Sequence, residues 1–282
     1  PAFQELHAYD PGTGLETGEY HDVASLDFIG PLGINIVGIG TSFAGSQDAI
    51  VKFCDVNGVP VRAGEWFHPA GNPIVGKSIA ELPSGDLVIA IFDQAANATD
   101  VWRMGPAGGF IWSTRLPDFK VQDIEADQVP AYLGGEGIFL TGAAVSNGQL
   151  AIQGLDAAGN QIFGNSYFVV DPNWNFNTTV GFEVEYDQNL NDVVVVGTAN
   201  IAGLPQTTMI FVRVDLGGGW IIGRSYSDPT GNDYYHGKAL IQDPFNPGGY
   251  FLGFEFSKNP TQPFDQIGVA QVDPAGVYSW IN

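Results

Sequence analysis

A short turn recurs along this chain at a nearly constant interval, and this period limits the fold more than any other feature. Each turn closes an apolar alternating run, and five are present, at residues 55–58, 105–108, 156–159, 215–218 and 273–276. Their first residues are 50, 51, 59 and 58 positions apart. A fixed period of this length indicates that one supersecondary unit is repeated along the chain.

A second marker keeps the same period. Each unit contains an apolar strand with one small residue at an equivalent position, namely Gly38, Ala90, Gly142, Gly197 and Gly253. These residues are 52, 52, 55 and 56 positions apart. Two independent markers in one register define the unit, and units of four short strands at this length stack radially in β-propellers.

Period-two alternation and turn residues divide the unit into strands. In the first full unit, residues 20–26 are expected to form the innermost strand, 34–40 the second and 49–55 the third, and 59–67 begins the next outer strand. We therefore predict an all-β fold, a β-propeller of four-stranded antiparallel blades, with five blades and with six as the alternative. The repeat units are 1–58, 59–108, 109–159, 160–218 and 219–276, followed by a short terminal strand at 277–282.

The two ends of the chain are expected to meet. Residues 3–10 fit the pattern of an outer strand, so the chain opens with a fourth strand and closes with a third. We predict that this N-terminal outer strand closes the ring, because closure removes an open sheet edge. The tail 277–282 resembles the start of another outer strand and competes for the same place. Either it lies along the closure seam, or the chain is a fragment of a longer repeat array.

The composition favours one large all-β domain over the whole chain, 1–282. The 38 Gly and 18 Pro residues supply tight turns, and 44% hydrophobic residues suffice for a packed core. The net charge of −21 repels nucleic acid and anionic membranes. No apolar run approaches the ~20 residues of a membrane-spanning helix. We therefore expect neither nucleic acid binding nor a membrane span.

One resemblance rests on the order of strands and turns. The run from Ile34 to Gly38, followed by the run from Asp48 to the turn at Gly58, resembles the propeller repeats of large secreted and surface proteins of Bacteroidetes-type bacteria. The resemblance implies an extracellular or cell-surface location. It also implies a role in adhesion, surface assembly or a secreted scaffold, and it transfers no catalytic residue.

The turn aspartates are explained by structure. Asp at the first position of such a turn accepts hydrogen bonds from backbone N–H groups, and Gly at the fourth takes a positive φ. No cofactor is therefore expected. Calcium is the alternative, because carboxylate and carbonyl oxygens of an acidic extracellular protein can bind it. The best local candidate is formed by Asp228, Asn232 and Asp233, which lack the residue order of a dedicated calcium loop.

Carboxylates near the starts of innermost strands suggest an enzyme, a glycoside hydrolase, as the most specific alternative to a non-catalytic protein. Asp22, Asp127 and Glu183 fall at such starts in three units, with His236 at a fourth. Glycoside hydrolysis needs two carboxyl groups held ~5–10 Å apart, one protonated and one ionised. Convergence of strand starts in an axial funnel would allow this geometry. The competing interpretation is that these residues are solvated charges at the mouth of the channel.

Aromatic residues in or beside predicted loops suggest a binding surface. Flat apolar rings flanked by Asn and Asp are suited to sugar faces and to protein interfaces. The candidates are Trp66, Phe67, Trp174, Phe176, Tyr234 and Tyr235.

Two functions from different classes follow from these patterns. The first is a non-catalytic extracellular or cell-surface module that acts by self-assembly, adhesion or binding, with copies of itself, other surface proteins or glycans as partners. The alternative is a secreted glycoside hydrolase with carboxylates in the axial funnel. No catalytic motif in the sequence supports an enzyme directly, so the first interpretation leads.

Overall fold

The protein is all-β wherever its structure is described. The computed structural model describes residues 18–25, 36–42, 48–55, 57, 65–67, 73–106, 108–170, 175–226, 234–257 and 266–281. These residues form twenty strands and no helix, which confirms the predicted class. In this part of the chain there is consequently no apolar helix of membrane-spanning length.

The strands form five four-stranded sheets, in each of which neighbours follow chain order. The first contains β1 (Gly18–Ser25), β2 (Ile36–Ser42), β3 (Asp48–Cys54) and β4 (Glu65–Phe67). The second contains β5 (Ile74–Glu81), β6 (Leu87–Asp93), β7 (Ala98–Met104) and β8 (Phe110–Pro117). The third contains β9 (Phe119–Gln128), β10 (Glu136–Ala144), β11 (Leu150–Asp156) and β12 (Gln161–Tyr167). The fourth contains β13 (Phe176–Asp187), β14 (Asp192–Ile201), β15 (Thr207–Asp215) and β16 (Trp220–Tyr226). The fifth contains β17 (Tyr234–Gln242), β18 (Tyr250–Ser257), β19 (Gln266–Val272) and β20 (Tyr278–Ile281). We call the first strand of each sheet its inner strand and the fourth its outer strand.

The chain divides into two compact units, Pro1–Val121 and Gln122–Asn282, with the boundary inside β9. The first unit holds the first two sheets, and its core includes Val37, Ile39, Phe53, Leu87, Ile89 and Met104. The second unit holds two cores. One includes Phe139, Ile152, Val184, Val195 and Ile210, and the other includes Val194, Val196, Phe211, Tyr250 and Leu252. The expectation of a single domain remains a prediction.

Strands β6 and β14 contain nearly continuous apolar runs because both of their faces are covered. In β14, Val193 and Val195 belong to one core of the second unit, whereas Val194 and Val196 belong to the other. All four side chains are fully buried. A strand that is buried on both faces has no solvent side to alternate with, so its sequence reads as a continuous apolar run.

The repeated glycines allow the backbone of one sheet to approach the next closely. A Cβ added to Gly237 of β17 would lie 2.6 Å from the carbonyl oxygen of Gly197 in β14. In the first unit, a Cβ on Gly76 of β5 would overlap the carbonyl oxygen of Gly40 in β2. The marker residue Gly197 contributes its carbonyl oxygen to this approach, whereas a Cβ added to Gly197 itself would lie 2.0 Å from the carbonyl oxygen of Val180 in its own sheet.

The turn aspartates have the structural role that the sequence predicts. Asp156 Oδ1 accepts hydrogen bonds from the backbone N–H groups two and four residues ahead, each at 2.9 Å. Asp215 and Asp273 make the same pair of bonds, and Asp55 makes the first of them. The glycine at the fourth position of the Asp156 turn takes a φ of 82°. In the turn that begins with Gly105, backbone bonds alone hold the same geometry.

The outer strands β12 and β16 each end in a tyrosine that fastens the strand to the turn of the following sheet. In the second unit, the Tyr167 hydroxyl donates to the carbonyl oxygen of Gly218 at 2.9 Å, and the Tyr226 hydroxyl donates to that of Gly276 at 2.8 Å. The Tyr226 ring also packs on Tyr278, with ring centroids 4.5 Å apart. These contacts cover the ends of β12 and β16 and leave the starts of both strands exposed.

The sheets are offset by one strand from the repeat units of the sequence. The recurring turn joins the third and fourth strands of one sheet, so residues 65–67 complete the first sheet as β4. The outer position of the fifth sheet is taken by β20, in the tail 277–282. Residues 3–10 lie outside the described residues, and closure of a ring by that segment remains a prediction.

Candidate functional site

Carboxylates are concentrated on the inner strands. Four of the five inner strands carry acidic residues, nine in total: Glu19, Asp22, Glu81, Asp123, Glu125, Asp127, Glu183, Glu185 and Asp187. In β9 and β13 they recur at every second position. Since alternate residues of a strand share a face, each of these two strands presents three carboxylates on one face.

A β-bulge places the first of these carboxylates. The register of the inner strand shifts between Tyr20 and Asp22 in β1, and between Gly181 and Glu183 in β13. The equivalent shift in β5 precedes Ser78. A bulge adds one residue to a strand and redirects the next side chain. Asp22, Ser78 and Glu183 therefore occupy one repeated position.

Asp22 joins two inner strands. Its Oδ2 accepts a hydrogen bond from the Ser78 hydroxyl at 2.6 Å and another from the Ile79 backbone N–H at 2.9 Å. In the second unit, Asp123 Oδ2 accepts from the backbone N–H of Val184 at 2.9 Å. Inner strands of neighbouring sheets share no ladder, so these carboxylates supply partners that the backbone would otherwise lack. This geometry gives Asp22 a structural function.

Glu125 and Glu185 have the most strongly shifted acidities among the inner carboxyl groups. Burial raises the pKa of Glu125 to about 8, with further contributions from the negative charges of Glu185, Asp123 and Asp127. Burial also raises the pKa of Glu185 to about 7, against a hydrogen bond from Gln242 and together with the charge of nearby aspartates. Both carboxyl groups therefore hold their protons to a higher pH than a free glutamate does. We call Glu125 and Glu185 the glutamate pair.

Two of the three predicted catalytic residues share strands with the glutamate pair, and the third, Asp22, does not. Asp127 is on the same strand as Glu125 and accepts two hydrogen bonds from Gln188 Nε2, at 3.0 and 2.9 Å. Glu183 is half-buried on the same strand as Glu185. Asp22 belongs to the other unit. Sequence reasoning missed the glutamate pair, although the alternating acidic pattern of β9 and β13 was a usable signal.

His236 of β17 is kept neutral by its surroundings. Burial lowers its pKa to about 4, the charge of Lys238 lowers it further, and Glu255 acts in the opposite direction. The Lys238 ammonium lies over the ring of Phe182 at 4.6 Å from the centroid, which links β17 to β13. An imidazole of this acidity is uncharged at neutral pH and can act only as a neutral hydrogen-bonding group there.

The described residues contain no group of three His, Cys, Asp or Glu side chains able to hold a metal ion. The predicted calcium candidate, formed by Asp228, Asn232 and Asp233, lies outside those residues. It therefore remains a prediction.

The predicted binding aromatics are scattered. Tyr234 is buried, and Tyr235 is half-buried between Phe254 and Phe256, with ring centroids 5.7 and 6.0 Å away. Phe176 packs partly against the core of the second unit. Trp174 and the side chains of Trp66 and Phe67 lie outside the described residues. A binding role for this set remains a prediction.

Some exposed apolar residues lie on the outer strands, and others lie in loops and on β17 and β19. The largest exposed side chains on the outer strands are Phe110, Ile111, Ile162, Trp220, Ile221 and Tyr278. The outer strands β8, β12, β16 and β20 contain no Asp or Glu, although the chain has 31 acidic residues. Each of them ends its sheet, so one backbone edge faces away from the ladder.

A second β-bulge, at the start of the outer strands, turns isoleucines outward. The register skips Ile111 between Phe110 and Trp112 in β8, and Ile221 between Trp220 and Ile222 in β16. The corresponding residue of β12 is Ile162. These three isoleucines are 47%, 43% and 43% exposed in the order Ile111, Ile162, Ile221. We call them the bulge isoleucines.

Comparisons with known proteins support the fold. No protein-family model matches the chain, and no curated protein matches it. Among solved structures, a protein of unknown function from Bacteroides caccae has 13% identity and a TM-score of 0.53, over 94% of this chain and 81% of that one. The periplasmic gluconolactonase PpgL of Pseudomonas aeruginosa has 13% identity and a TM-score of 0.54, over 89% and 66%. At such identities the likeness concerns the fold alone. Together with the five meander sheets, it shows that this chain has a β-propeller-like fold.

Proposed function

We propose that this protein is a non-catalytic extracellular or cell-surface interaction module that binds other protein chains through its outer strands. The observation that carries the proposal is the set of bulge isoleucines, exposed at one repeated position on outer strands that lack carboxylates. Large exposed apolar residues in a repeated arrangement mark interaction surfaces. The acidic composition and the resemblance to surface propeller repeats support the location.

The chemistry of most inner carboxylates also supports a structural role. Asp22, Asp123 and Asp127 each accept hydrogen bonds from groups on a neighbouring strand or turn. Carboxylates engaged in this way hold the inner strands together. This leaves the outer strands as the surface that a partner can reach.

The test is a binding comparison between the wild type and the double variant Ile111→Glu/Ile221→Glu. Both proteins would be applied to immobilised copies of the chain, to surface proteins of the source cell and to a glycan array. We expect the wild type to bind at least one of these and the variant to lose that binding. The control Leu133→Glu/Phe245→Glu adds the same charges at exposed loop positions. Equal binding by the wild type and the edge variant would contradict the proposal.

A second candidate function, glycoside hydrolysis, is favoured by the glutamate pair. A carboxyl group with a raised pKa is suited to general acid catalysis. Glu125, with its pKa raised to about 8, would supply the acid, and Asp127 on the same strand or Glu185 would supply the second carboxyl group. Hydrolysis of an aryl glycoside by the wild type, lost in Glu125→Gln, would establish this function. A hydrolysis rate equal to that of buffer in a broad panel would exclude it.

A further inference from the structure

Trp220, at the start of β16, is an exposed aromatic residue in a supported position. It is 44% exposed. The benzene part of its indole lies over Gly223 of the same strand, because a Cβ added to Gly223 would come within 2.3 and 2.5 Å of the ring atoms Cζ2 and Cη2. The indole also packs on the buried Tyr167 of β12, with ring centroids 5.8 Å apart and an angle of 35° between the planes. The ring is therefore held by two neighbours and still presents surface to solvent.

Two exposed polar side chains lie beside this pair of rings. Asn165 of β12 donates through Nδ2 to the carbonyl oxygen of Gly218 at 3.1 Å and to the Tyr167 hydroxyl at 3.4 Å. Asp215 accepts both backbone hydrogen bonds of its own turn through Oδ1. Burial raises the pKa of Tyr167, the bond from Asn165 lowers it, and the nearby charge of Asp215 raises it. In the described part of the chain, Asn165 Oδ1 and Asp215 Oδ2 are therefore left as acceptors for a ligand.

These four residues, Asn165, Tyr167, Asp215 and Trp220, all belong to the second compact unit. We call them the tryptophan site. The site combines an exposed flat ring with two oxygen acceptors, and it contains no Lys or Arg side chain.

The composition of the tryptophan site indicates the class of ligand. The C–H groups of a pyranose ring can pack on an indole, while the sugar hydroxyls donate hydrogen bonds to carboxylate and carboxamide oxygens. An anionic ligand finds no basic side chain in the site and meets a chain with a net charge of −21. A quaternary ammonium ion is best bound by a cage of several aromatic faces. Here Tyr167 is only 7% exposed, so the site offers one ring and not a cage.

We infer that the tryptophan site binds a neutral pyranose sugar of a glycan. In this site Trp220 is the stacking platform, and Asn165 and Asp215 accept hydrogen bonds from sugar hydroxyls. Tyr167 is a positioning residue, because its hydroxyl bonds to Gly218 and its ring supports the indole. The inference goes beyond the protein-binding function proposed above, since it requires neither of the bulge isoleucines.

The starts of the other outer strands lack part of this set. β8 begins with the exposed Phe110, but the turn before it begins with Gly105 in place of an aspartate. β12 begins with Gln161, which has no ring. β20 begins with Tyr278, and there the place of the carboxamide is taken by Arg224. Among the outer strands whose side chains are described, only β16 has the complete set. Phe110 is therefore a matched control for an exposed ring without the acceptors.

The experiment is isothermal titration calorimetry with four neutral oligosaccharides: cellohexaose, chitohexaose, maltohexaose and mannohexaose. We expect the wild type to bind at least one of them and Trp220→Ala to bind it at least about tenfold more weakly, as when an aromatic anchor is truncated. Trp220→Phe should retain part of the affinity, because it keeps a flat ring. Phe110→Ala should bind as the wild type does. A wild type that binds none of the four, or an unchanged affinity in Trp220→Ala, overturns the inference.

Asp215→Asn separates recognition from folding. Asn keeps an oxygen that can accept the turn bonds, but it replaces the second acceptor oxygen with an NH₂ donor. We expect sugar binding to weaken several-fold while the urea unfolding curve stays close to that of the wild type. Unchanged sugar binding in this variant would remove Asp215 from the site and overturn the assigned acceptor set. Tetramethylammonium is the competing probe, and its binding in place of every oligosaccharide would show a cation site and overturn the inference.

The failures of the two proposals can be distinguished. If no oligosaccharide binds but Ile111→Glu/Ile221→Glu loses binding to a protein partner, the sugar site is wrong and the interaction function stands. If Trp220→Ala loses sugar binding while Ile111→Glu/Ile221→Glu keeps every protein contact of the wild type, the sugar site stands and the interaction function is wrong.

Discussion

β-Bulges occur in both the inner and the outer strands of the same sheets, but they have opposite consequences at the two places. At the inner strands, the residue after the bulge is polar in β1, β5 and β13, and Asp22 bonds to Ser78 and Ile79 of the next inner strand. At the outer strands β8, β12 and β16, the bulge residue is an isoleucine that faces solvent. The same backbone irregularity thus supports bonds between sheets at the inner strands and exposes an apolar side chain at these outer strands.

The energetic consequences of this difference are also opposite. Inner positions are crowded by backbone of the neighbouring sheet and contain groups that need hydrogen-bond partners. Outer positions are open and tolerate new side chains. Changes at the inner strands should therefore affect folding, whereas changes at the outer strands should affect association.

The largest expected effect comes from adding a side chain at an inner glycine. Gly237→Val places a Cβ 2.6 Å from the Gly197 carbonyl oxygen, which belongs to backbone and cannot move aside. We expect the free energy of unfolding to fall by about 3 kcal/mol. The matched control is Gly109→Val at the start of the outer strand β8, where an added Cβ meets nothing within 4 Å. Urea unfolding measures the free energy of unfolding of both variants. Equal losses in the two variants would mean that the inner glycine is no more crowded than the outer one.

Removal of the carboxylate that joins two inner strands should have the next largest effect. Asp22→Ala leaves the Ser78 hydroxyl and the Ile79 N–H without the acceptor they use. Loss of such an acceptor at a part-buried site costs about 2 kcal/mol. Ser113→Ala, on the exposed part of β8, should change the free energy of unfolding by less than about 0.5 kcal/mol. Thermal unfolding of both variants and the wild type measures these changes. If Asp22→Ala were as stable as the wild type, the Asp22 carboxylate would not stabilise the contact between the two inner strands.

The glutamate pair should make stability fall as pH rises. The pKa values in the folded state, about 8 and about 7, lie above those of the unfolded chain. Between the unfolded and the folded pKa of each group, the folded state therefore binds more protons than the unfolded state. The contribution is fully present below the unfolded pKa and is lost as pH rises through the folded pKa. We expect a slope of at most about 1.4 kcal/mol per pH unit for each carboxyl group.

The control for this pH dependence is Glu125→Gln. Gln cannot ionise, so the variant should show a shallower loss of stability between about pH 5 and pH 8. Denaturant unfolding at several pH values, in constant salt, measures both proteins. Parallel curves for the two proteins would mean that Glu125 does not hold its proton in the folded state.

The smallest effect on stability is expected at the outer strand. Ile221→Glu replaces an exposed side chain, so the free energy of unfolding should change by about 0.5 kcal/mol or less. The same variant should nevertheless weaken binding to a partner chain. Chemical unfolding and the binding comparison, made on one sample, separate the two effects. A large loss of stability would mean that the bulge isoleucine belongs to the core.

Much of the fold could be predicted because it follows from local chemistry. The turns at Asp156, Asp215 and Asp273 repeat a carboxylate and a glycine whose geometry is decided within five residues. The continuous valine run of β14 reports burial on both faces. The offset between repeat units and sheets was less accessible, because the same turn could precede the outer strand of either sheet.

The candidate site was predicted less completely because it depends on contacts between distant strands. Asp127 and Glu183 were singled out by their position near strand starts, whereas the shifted acidity lies at Glu125 and Glu185. Burial causes that shift, and burial is not written in the local pattern. The aromatic residues of the sequence prediction were chosen as loop residues, but Tyr234 is buried, and exposed apolar residues such as Ile111 and Ile221 lie at bulges that the local pattern does not mark.

The sequence by itself determined the all-β class, the repeated unit, the aspartate turns and the strong negative charge, because each depends on composition or on neighbours along the chain. The tertiary structure decided which carboxylates became hydrogen-bond acceptors, which became protonated and which isoleucines reached solvent. These outcomes depend on register and burial, since a single extra residue at a bulge redirects a side chain. The candidate positions for binding and for chemistry are therefore ones that only the packed sheets identify.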